Sequence, residues 1–140
     1  MGLEVLIVDD SASMRSIVRK IVGLAGYEVS NYYESSNGLE ALEALSEQWI
    51  DIILLDINMP KMDGITFLKE MKKEELYAKI PVILVTTEAR QETVDEAFQL
   101  GVKAHIKKPF QPEQIRKILD DILGDEYARE DTDESEECDF

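Results

Sequence analysis

Two hydrophobic periods alternate strictly along this chain, and that alternation limits its fold more than any other feature. Short aliphatic runs occur at Leu3 to Val8, Tyr27 to Tyr32, Ile50 to Leu55, Val82 to Val85 and Ala104 to Lys107. Runs of this kind, with β-branched residues, are expected of strands buried on both faces of a parallel sheet. Stretches with apolar residues at helical spacing follow each run. Met14, Ile17, Val18, Ile21 and Leu24 form the first stripe, with Ser11 and Ser13 as candidate caps and Gly26 as the stop. Leu39, Leu42 and Leu45 mark the second, and Ile65, Leu68 and Met71 the third. Val94, Ala97, Phe98 and Leu100 mark the fourth, stopped by Gly101; Ile115, Ile118, Leu119, Ile122 and Leu123 mark the fifth, closed by Gly124. Strand and helix in strict alternation require right-handed crossovers. The expected fold is therefore α/β, a doubly wound five-stranded parallel sheet with five helices on its two faces.

The pattern stops at Gly124. A body of that length, in a chain of 140 residues that is 44% hydrophobic, buries one core without metals or disulfides. Residues 125–140 differ in kind: nine acids stand against Arg129 alone, which gives −8 of the chain's net −15. Dense like charge resists compaction, so the expected boundaries are a globular domain at 1–124 and an acidic, disordered tail at 125–140. The longest uninterrupted aliphatic runs, Ile52 to Leu55 and Val82 to Val85, are too short to span a bilayer, and no signal peptide precedes them. Cys138 is the single cysteine and cannot close an internal disulfide. A cytoplasmic monomer without membrane insertion is expected, and the net charge argues against nucleic acid as a partner.

Open parallel sheets bind ligands beyond the carboxyl ends of their strands. The first strand ends in Asp9-Asp10, the third in Asp56 followed by Asn58-Met59-Pro60, the fourth in Thr86-Thr87-Glu88 and the fifth in Lys108-Pro109. Three carboxylates, a hydroxyl and an ammonium thus converge on one edge. Clustered carboxylates raise one another's pKa, so an oxygen-liganded divalent cation is the natural neutraliser, and Mg²⁺ needs only one or two of them plus waters. A carboxylate beside such a cation can attack phosphorus while the hydroxyl and ammonium hold phosphoryl oxygens. Taken singly, each residue has a plainer reading: Asp9-Asp10 as a solvated turn, Thr86 as a helix cap, Lys108 as a surface lysine. Asp51 and Asp63 are read as structural, His105 as a partly buried packing residue, and Trp49 as a core or rim residue.

Four motifs carry a family likeness: Leu-Ile-Val-Asp9-Asp10-Ser, Leu55-Asp56-Ile-Asn-Met-Pro60-Lys-Met-Asp63-Gly64, Val85-Thr86-Thr-Glu-Ala89 and Lys107-Lys108-Pro109-Phe110. Through them, residues 3–123 resemble the receiver domain of bacterial two-component response regulators, in particular the single-domain chemotaxis (CheY-like) type. The resemblance implies a flavodoxin-like sheet of order 2-1-3-4-5. It makes Asp56 the phosphoacceptor. It gives Mg²⁺ to Asp9, Asp10, Asp56 and the backbone carbonyl of Asn58, and the phosphoryl group to Thr86 and Lys108. The peptide after that lysine is cis in the family, which suits Lys108-Pro109 because proline lowers the energy of a cis bond. Pro60 and Gly64 would shape the loop after Asp56. Two departures stand out. His105 occupies the place of a usual Tyr or Phe that swings inward as the threonine moves, and Thr87 stands where Ala is common.

The implied function is a signalling switch rather than an enzyme. A histidine kinase supplies the phosphoryl group, Mg²⁺ supports the transfer, and the modified protein changes its affinity for a target such as the flagellar motor switch. By the same resemblance the docking surface comprises the fourth helix, fifth strand and fifth helix. An alternative is a phosphorelay intermediate that passes its phosphoryl group to a second histidine. A haloacid dehalogenase-type phosphatase needs a second acid two residues after the nucleophile, where this chain has Asn58. Flavin or dinucleotide binding needs a phosphate-cradling loop after a strand, where Asp9-Asp10 would repel the anion.

Overall fold

The computed structural model describes residues 2–87 and 90–124. The expected acidic tail at 125–140, and Glu88 and Ala89 of the third motif, lie outside the described residues. The elements run β1 (Leu3–Val8), α1 (Ala12–Leu24), β2 (Val29–Ser35), α2 (Gly38–Glu47), β3 (Ile52–Leu55), α3 (Gly64–Met71), α4 (Glu75–Ala78), β4 (Val82–Thr86), α5 (Gln91–Gln99), β5 (Ala104–Lys107) and α6 (Pro112–Leu123). The sheet is five-stranded, in the order β2-β1-β3-β4-β5, and every adjacent pair is parallel. The expected topology is thus found, with six helices among the described residues instead of five. The additional one, α4, is a single turn with no buried residue, so it leaves no amphipathic stripe in the sequence to read.

Two clusters of buried side chains sandwich the sheet. On one face Leu6, Val8, Ile53, Leu55 and Leu84 meet Ala41 and Leu45 of α2, Phe67, Leu68 and Met71 of α3, and Val94 and Ala97 of α5. On the other, Leu3, Val5, Ile7, Leu54, Ile83 and Val85 meet Val18 and Val22 of α1 and Ile115 and Leu119 of α6. Alternate strand residues serve opposite faces, so a strand covered on both must be apolar throughout. β3 and β4 are buried at every position. The edge strand β2 is half-exposed and carries polar residues, and its observed span lies two to three residues beyond the expected Tyr27 to Tyr32. Tyr27 is buried before the strand begins, with its hydroxyl 2.5 Å from Asp120 Oδ1 on α6.

Local signals set the helix ends. Ser11 caps α1 by accepting from the Met14 N–H at 3.2 Å, Asn37 caps α2 from Glu40 at 3.0 Å, and Asp63 caps α3 from Thr66 at 2.9 Å. The structural reading of Asp63 holds, whereas Ser13 is not the cap of α1 and Thr86 closes a strand instead of capping a helix. The inward stripe of α1 is centred on Val18 and Val22; Ile17 and Leu24 lie roughly a third of a turn away and are exposed. Trp49 is 78% exposed, so it is not a core residue; its indole N–H donates to Asp51 Oδ1 at 2.9 Å.

Candidate functional site at the carboxyl edge of the sheet

Parallel register brings the strand ends level. Val8 pairs with Leu55, Leu55 with Leu84, and Thr86 with Lys107. Ladder-type bonds continue one residue further: the Asp56 N–H donates to the Val8 carbonyl and the Lys108 N–H to that of Thr86, both at 2.9 Å. Asp9, Asp10, Asp56, Thr86 and Lys108 therefore come together as the strand-end motifs predict. The Lys108-Pro109 peptide is cis, also as expected.

One carboxylate oxygen from each of Asp9, Asp10 and Asp56 lies within 4.8 Å of the other two. Lys108 Nζ sits 2.6 Å from Asp9 Oδ2 and 3.6 Å from Asp56 Oδ2. Backbone N–H groups take the other oxygens: that of Ser11 donates to Asp9 Oδ1 at 2.9 Å and that of Ile57 to Asp56 Oδ1 at 2.8 Å. Asp9, Asp56, Thr86 and Lys108 are buried, whereas Asp10 is exposed. Burial pushes the Asp56 carboxyl above the usual 3.8. The Lys108 charge, the Ile57 N–H and the Thr86 hydroxyl oppose that rise, and the Asp9 charge adds to it.

Three carboxylates against one ammonium leave the cluster net anionic, and the donor atoms are all hard oxygens. That set fits Mg²⁺, a cation that binds through few carboxylates and keeps waters. Asn58 lies two residues beyond Asp56 and is exposed. The course of the loop after Asp56 depends on Gly64. Its N–H donates to the Ile57 carbonyl at 2.8 Å, and a Cβ there would land on the Asp56 carbonyl oxygen. Lys61 takes the left-handed φ of 67° inside the same loop.

His105 stands across from Leu84, on the same sheet face as Thr86. Its Nε2 is buried without a hydrogen-bond partner among the described residues. Burial, and secondarily the Lys107 charge, lower its pKa from 6.5. Thr87 is exposed.

The strand-end reading missed Arg15 and Glu34. Arg15 Nη1 donates to the Asp9 carbonyl at 2.6 Å, and its Nε pairs with Glu34 Oε1 at 2.8 Å. A usable signal existed, because helical side chains tilt toward the helix N-terminus and a first-turn arginine reaches back over the strand end.

Residues 5–120 match the family model of the response regulator receiver domain. The chain is 43% identical to chemotaxis protein CheY of Thermotoga maritima over 122 residues, covering 87% of this chain and 98% of that one. It is 38% identical to chemotaxis protein CheY-3 of Vibrio cholerae, over 87% of this chain and 92% of that one. Among solved structures, Vibrio cholerae CheY4 crystallised at low pH superposes with a TM-score of 0.77 at 35% identity, covering 88% of this chain and all of that one. The receiver domain of the Pseudomonas aeruginosa sensor histidine kinase PA1611, solved with a magnesium ion coordinated in its active site cleft, superposes with a TM-score of 0.77 at 26% identity, over 89% of this chain and 99% of that one. With its sheet order, its strand-end acids and these relatives in agreement, the chain belongs to the family of response regulator receiver domains, among its CheY-like chemotaxis members.

Proposed function

We propose that this protein is a Mg²⁺-dependent phosphorylation switch in which Asp56 accepts a phosphoryl group from a histidine kinase and the modified form changes its affinity for a target protein. The observation that carries this reading is the buried Asp56 carboxylate flanked by Lys108 Nζ, the Thr86 hydroxyl and two further aspartates. An Asp56 oxygen attacks the donor phosphorus; the bond from phosphorus to its leaving group breaks, and the leaving group departs with that electron pair. Lys108 pairs with one arriving phosphoryl oxygen and Thr86 donates to another, contacts made only in the modified state. Asp9, Asp10, Asp56 and the Asn58 carbonyl hold the metal. Bound Mg²⁺ supplies the positive charge that lets a carboxylate and a phosphoryl anion approach. The magnesium in the PA1611 receiver cleft supports the choice of metal.

The similarity to chemotaxis proteins favours a chemotaxis kinase as donor and the flagellar motor switch as target. A single-domain phosphorelay intermediate is the alternative, and a supply of target histidine phosphotransfer protein distinguishes it by phosphoryl loss to that protein. The dehalogenase-type phosphatase reading lacks its second acid at Asn58. Drawing Thr86 inward vacates space on the sheet face it shares with His105, and His105 fills it as the phosphorylated state forms.

Intact-mass measurement with acetyl phosphate tests the core of this reading. A single phosphoryl gain is expected with Mg²⁺ and none without it. Gain that persists in Asp56→Asn, or that ignores Mg²⁺, rejects it.

A further inference from the structure

The backbone of Asp9 is held at both its N–H and its carbonyl. The Asp9 N–H donates to the Ser35 carbonyl of β2 at 3.0 Å, and the Asp9 carbonyl, which belongs to the Asp9-Asp10 peptide, accepts from Arg15 Nη1 at 2.6 Å. Arg15 is itself anchored. Its Nε holds Glu34 Oε1 at 2.8 Å, while Arg19, one turn further along α1, holds Glu34 Oε2 at 3.2 Å and stacks 4.8 Å above the Tyr32 ring. The Arg15 side chain is only 16% exposed, so it is not an ordinary solvated arginine. Asp10 by contrast has an exposed carboxylate with no protein hydrogen bond among the described residues. With no such contact on its own side chain, Asp10 takes its direction from the backbone that carries it.

We propose that Arg15 is a positioning residue for the metal-binding carboxylates: through the Asp9 carbonyl, and braced by Glu34, it sets the plane of the Asp9-Asp10 peptide and thereby aims Asp10 at the ion. This rests on the Mg²⁺ reading above. The two acceptors are met by two different nitrogens, Nε and Nη1, of one planar guanidinium, a fixed fork that the compact ammonium of lysine does not reproduce, so lysine does not substitute for it. The role differs from simple electrostatics in sign. A cation beside an anionic site opposes Mg²⁺, so removal of the Arg15 charge alone would tighten the metal, whereas loss of positioning loosens it.

Titration of Mg²⁺ alone by calorimetry, on the full chain, separates these outcomes. Arg15→Lys and Arg15→Met are both expected to weaken Mg²⁺ by about tenfold, the usual scale for outer partners of a metal site. At saturating Mg²⁺ the rate of phosphorylation by acetyl phosphate should return to that of the unaltered protein, because Asp56, Thr86 and Lys108 are untouched. Glu34→Gln keeps an oxygen for Arg15 Nε and should hold Mg²⁺ nearly as well as the unaltered protein; Glu34→Ala should not. Tighter Mg²⁺ in Arg15→Met with no change in Arg15→Lys would overturn the proposal in favour of a charge effect. A lower melting temperature with unchanged Mg²⁺ affinity would overturn it in favour of a merely structural role. If Arg15→Met does not fold, Arg15→Lys, which keeps helix propensity and charge, carries the test with the Glu34 pair. Absence of Mg²⁺ binding by the unaltered protein would reject the metal reading together with this one, while equal binding by all variants would reject this one alone.

Discussion

β3 has an aspartate at each end, and the two live in opposite conditions. Asp51, at the amino edge, accepts the Glu4 N–H on one oxygen at 2.8 Å and the Trp49 indole N–H on the other at 2.9 Å. Its own N–H donates to the Glu4 carbonyl, so the residue ties β3 to β1 in two directions. Asp56, at the carboxyl edge, is buried, shares its surroundings with two other carboxylates, and has its pKa pushed up. Two aspartates five residues apart thus do opposite things to folding. One completes the hydrogen bonding of a strand entry, while the other sits where burial disfavours its charge. Partnered by the Ile57 N–H, Lys108 and Thr86 yet still penalised by burial, the Asp56 carboxylate is one that a bound cation would stabilise further.

The largest test of that contrast is to remove the cation that tempers the carboxyl edge. Lys108→Met leaves Asp9 and Asp56 buried without their ammonium and should cost about 3–5 kcal/mol of stability in Mg²⁺-free buffer, as when one partner of a buried ion pair is removed. Added Mg²⁺ should recover part of that loss, since a ligand that binds only the folded state stabilises it. Urea titrations with and without Mg²⁺ check both; a loss no larger than that of an exposed lysine would refute the account of the edge.

At the opposite edge, Asp51→Ala should cost about 1–3 kcal/mol by stranding the Glu4 N–H, and leave the mass gain with acetyl phosphate intact. If the variant is fully stable, or loses phosphorylation, the two aspartates are not separable in this way.

Asp56→Asn should shift stability in the other direction. The folded pKa of Asp56 lies above its unfolded value, so the folded state binds more protons across that interval and the unaltered protein loses stability as pH rises through the folded pKa. The variant should therefore melt higher than the unaltered protein at neutral pH in Mg²⁺-free buffer, and the gain should shrink as pH falls through that interval. A gain that is constant with pH would point away from ionisation as its cause.

The smallest effect is expected at His105. Its folded pKa lies below the usual 6.5, so as pH falls the unfolded chain is protonated first and stability declines from about 6.5 down through the folded value. His105→Phe should flatten that part of the acid limb in thermal melts. An unchanged limb would mean that the buried Nε2 does not titrate with unfolding.

Legibility in the sequence followed burial only in part, since the edge strand β5, buried at Ile106 alone, was also found with its correct limits. β1, β3 and β4 are covered on both faces and read as aliphatic runs, so they were found with nearly correct limits. β2, at the edge, mixes Ser30, Asn31 and Glu34 with tyrosines, and its limits were misread. The turn α4 left no periodic trace. At the site, Asp9, Asp10, Asp56, Thr86 and Lys108 were legible because a parallel sheet gathers its strand ends whatever the loops do. Arg15 had a signal in its first-turn position, but its pairing with Glu34 was not legible, because it depends on how α1 lies against an edge strand whose limits were themselves unclear.

What the sequence alone determined is the set of parts: a parallel α/β sheet from alternating periods, and an acidic, oxygen-rich edge from residues at the strand ends. Both follow from local rules, the two-residue repeat of a strand and the 3.6-residue repeat of a helix. Tertiary structure decided the rest. Rotation of α1 about its axis, not its composition, buried Val18 and Val22 and left Ile17 outside. Register and burial together, not residue type, made Asp51 a satisfied strand entry and Asp56 a raised-pKa carboxylate beside Lys108. Those differences arise from distances of a few ångströms between segments far apart in the chain, and electrostatic and hydrogen-bond energies depend steeply on such distances.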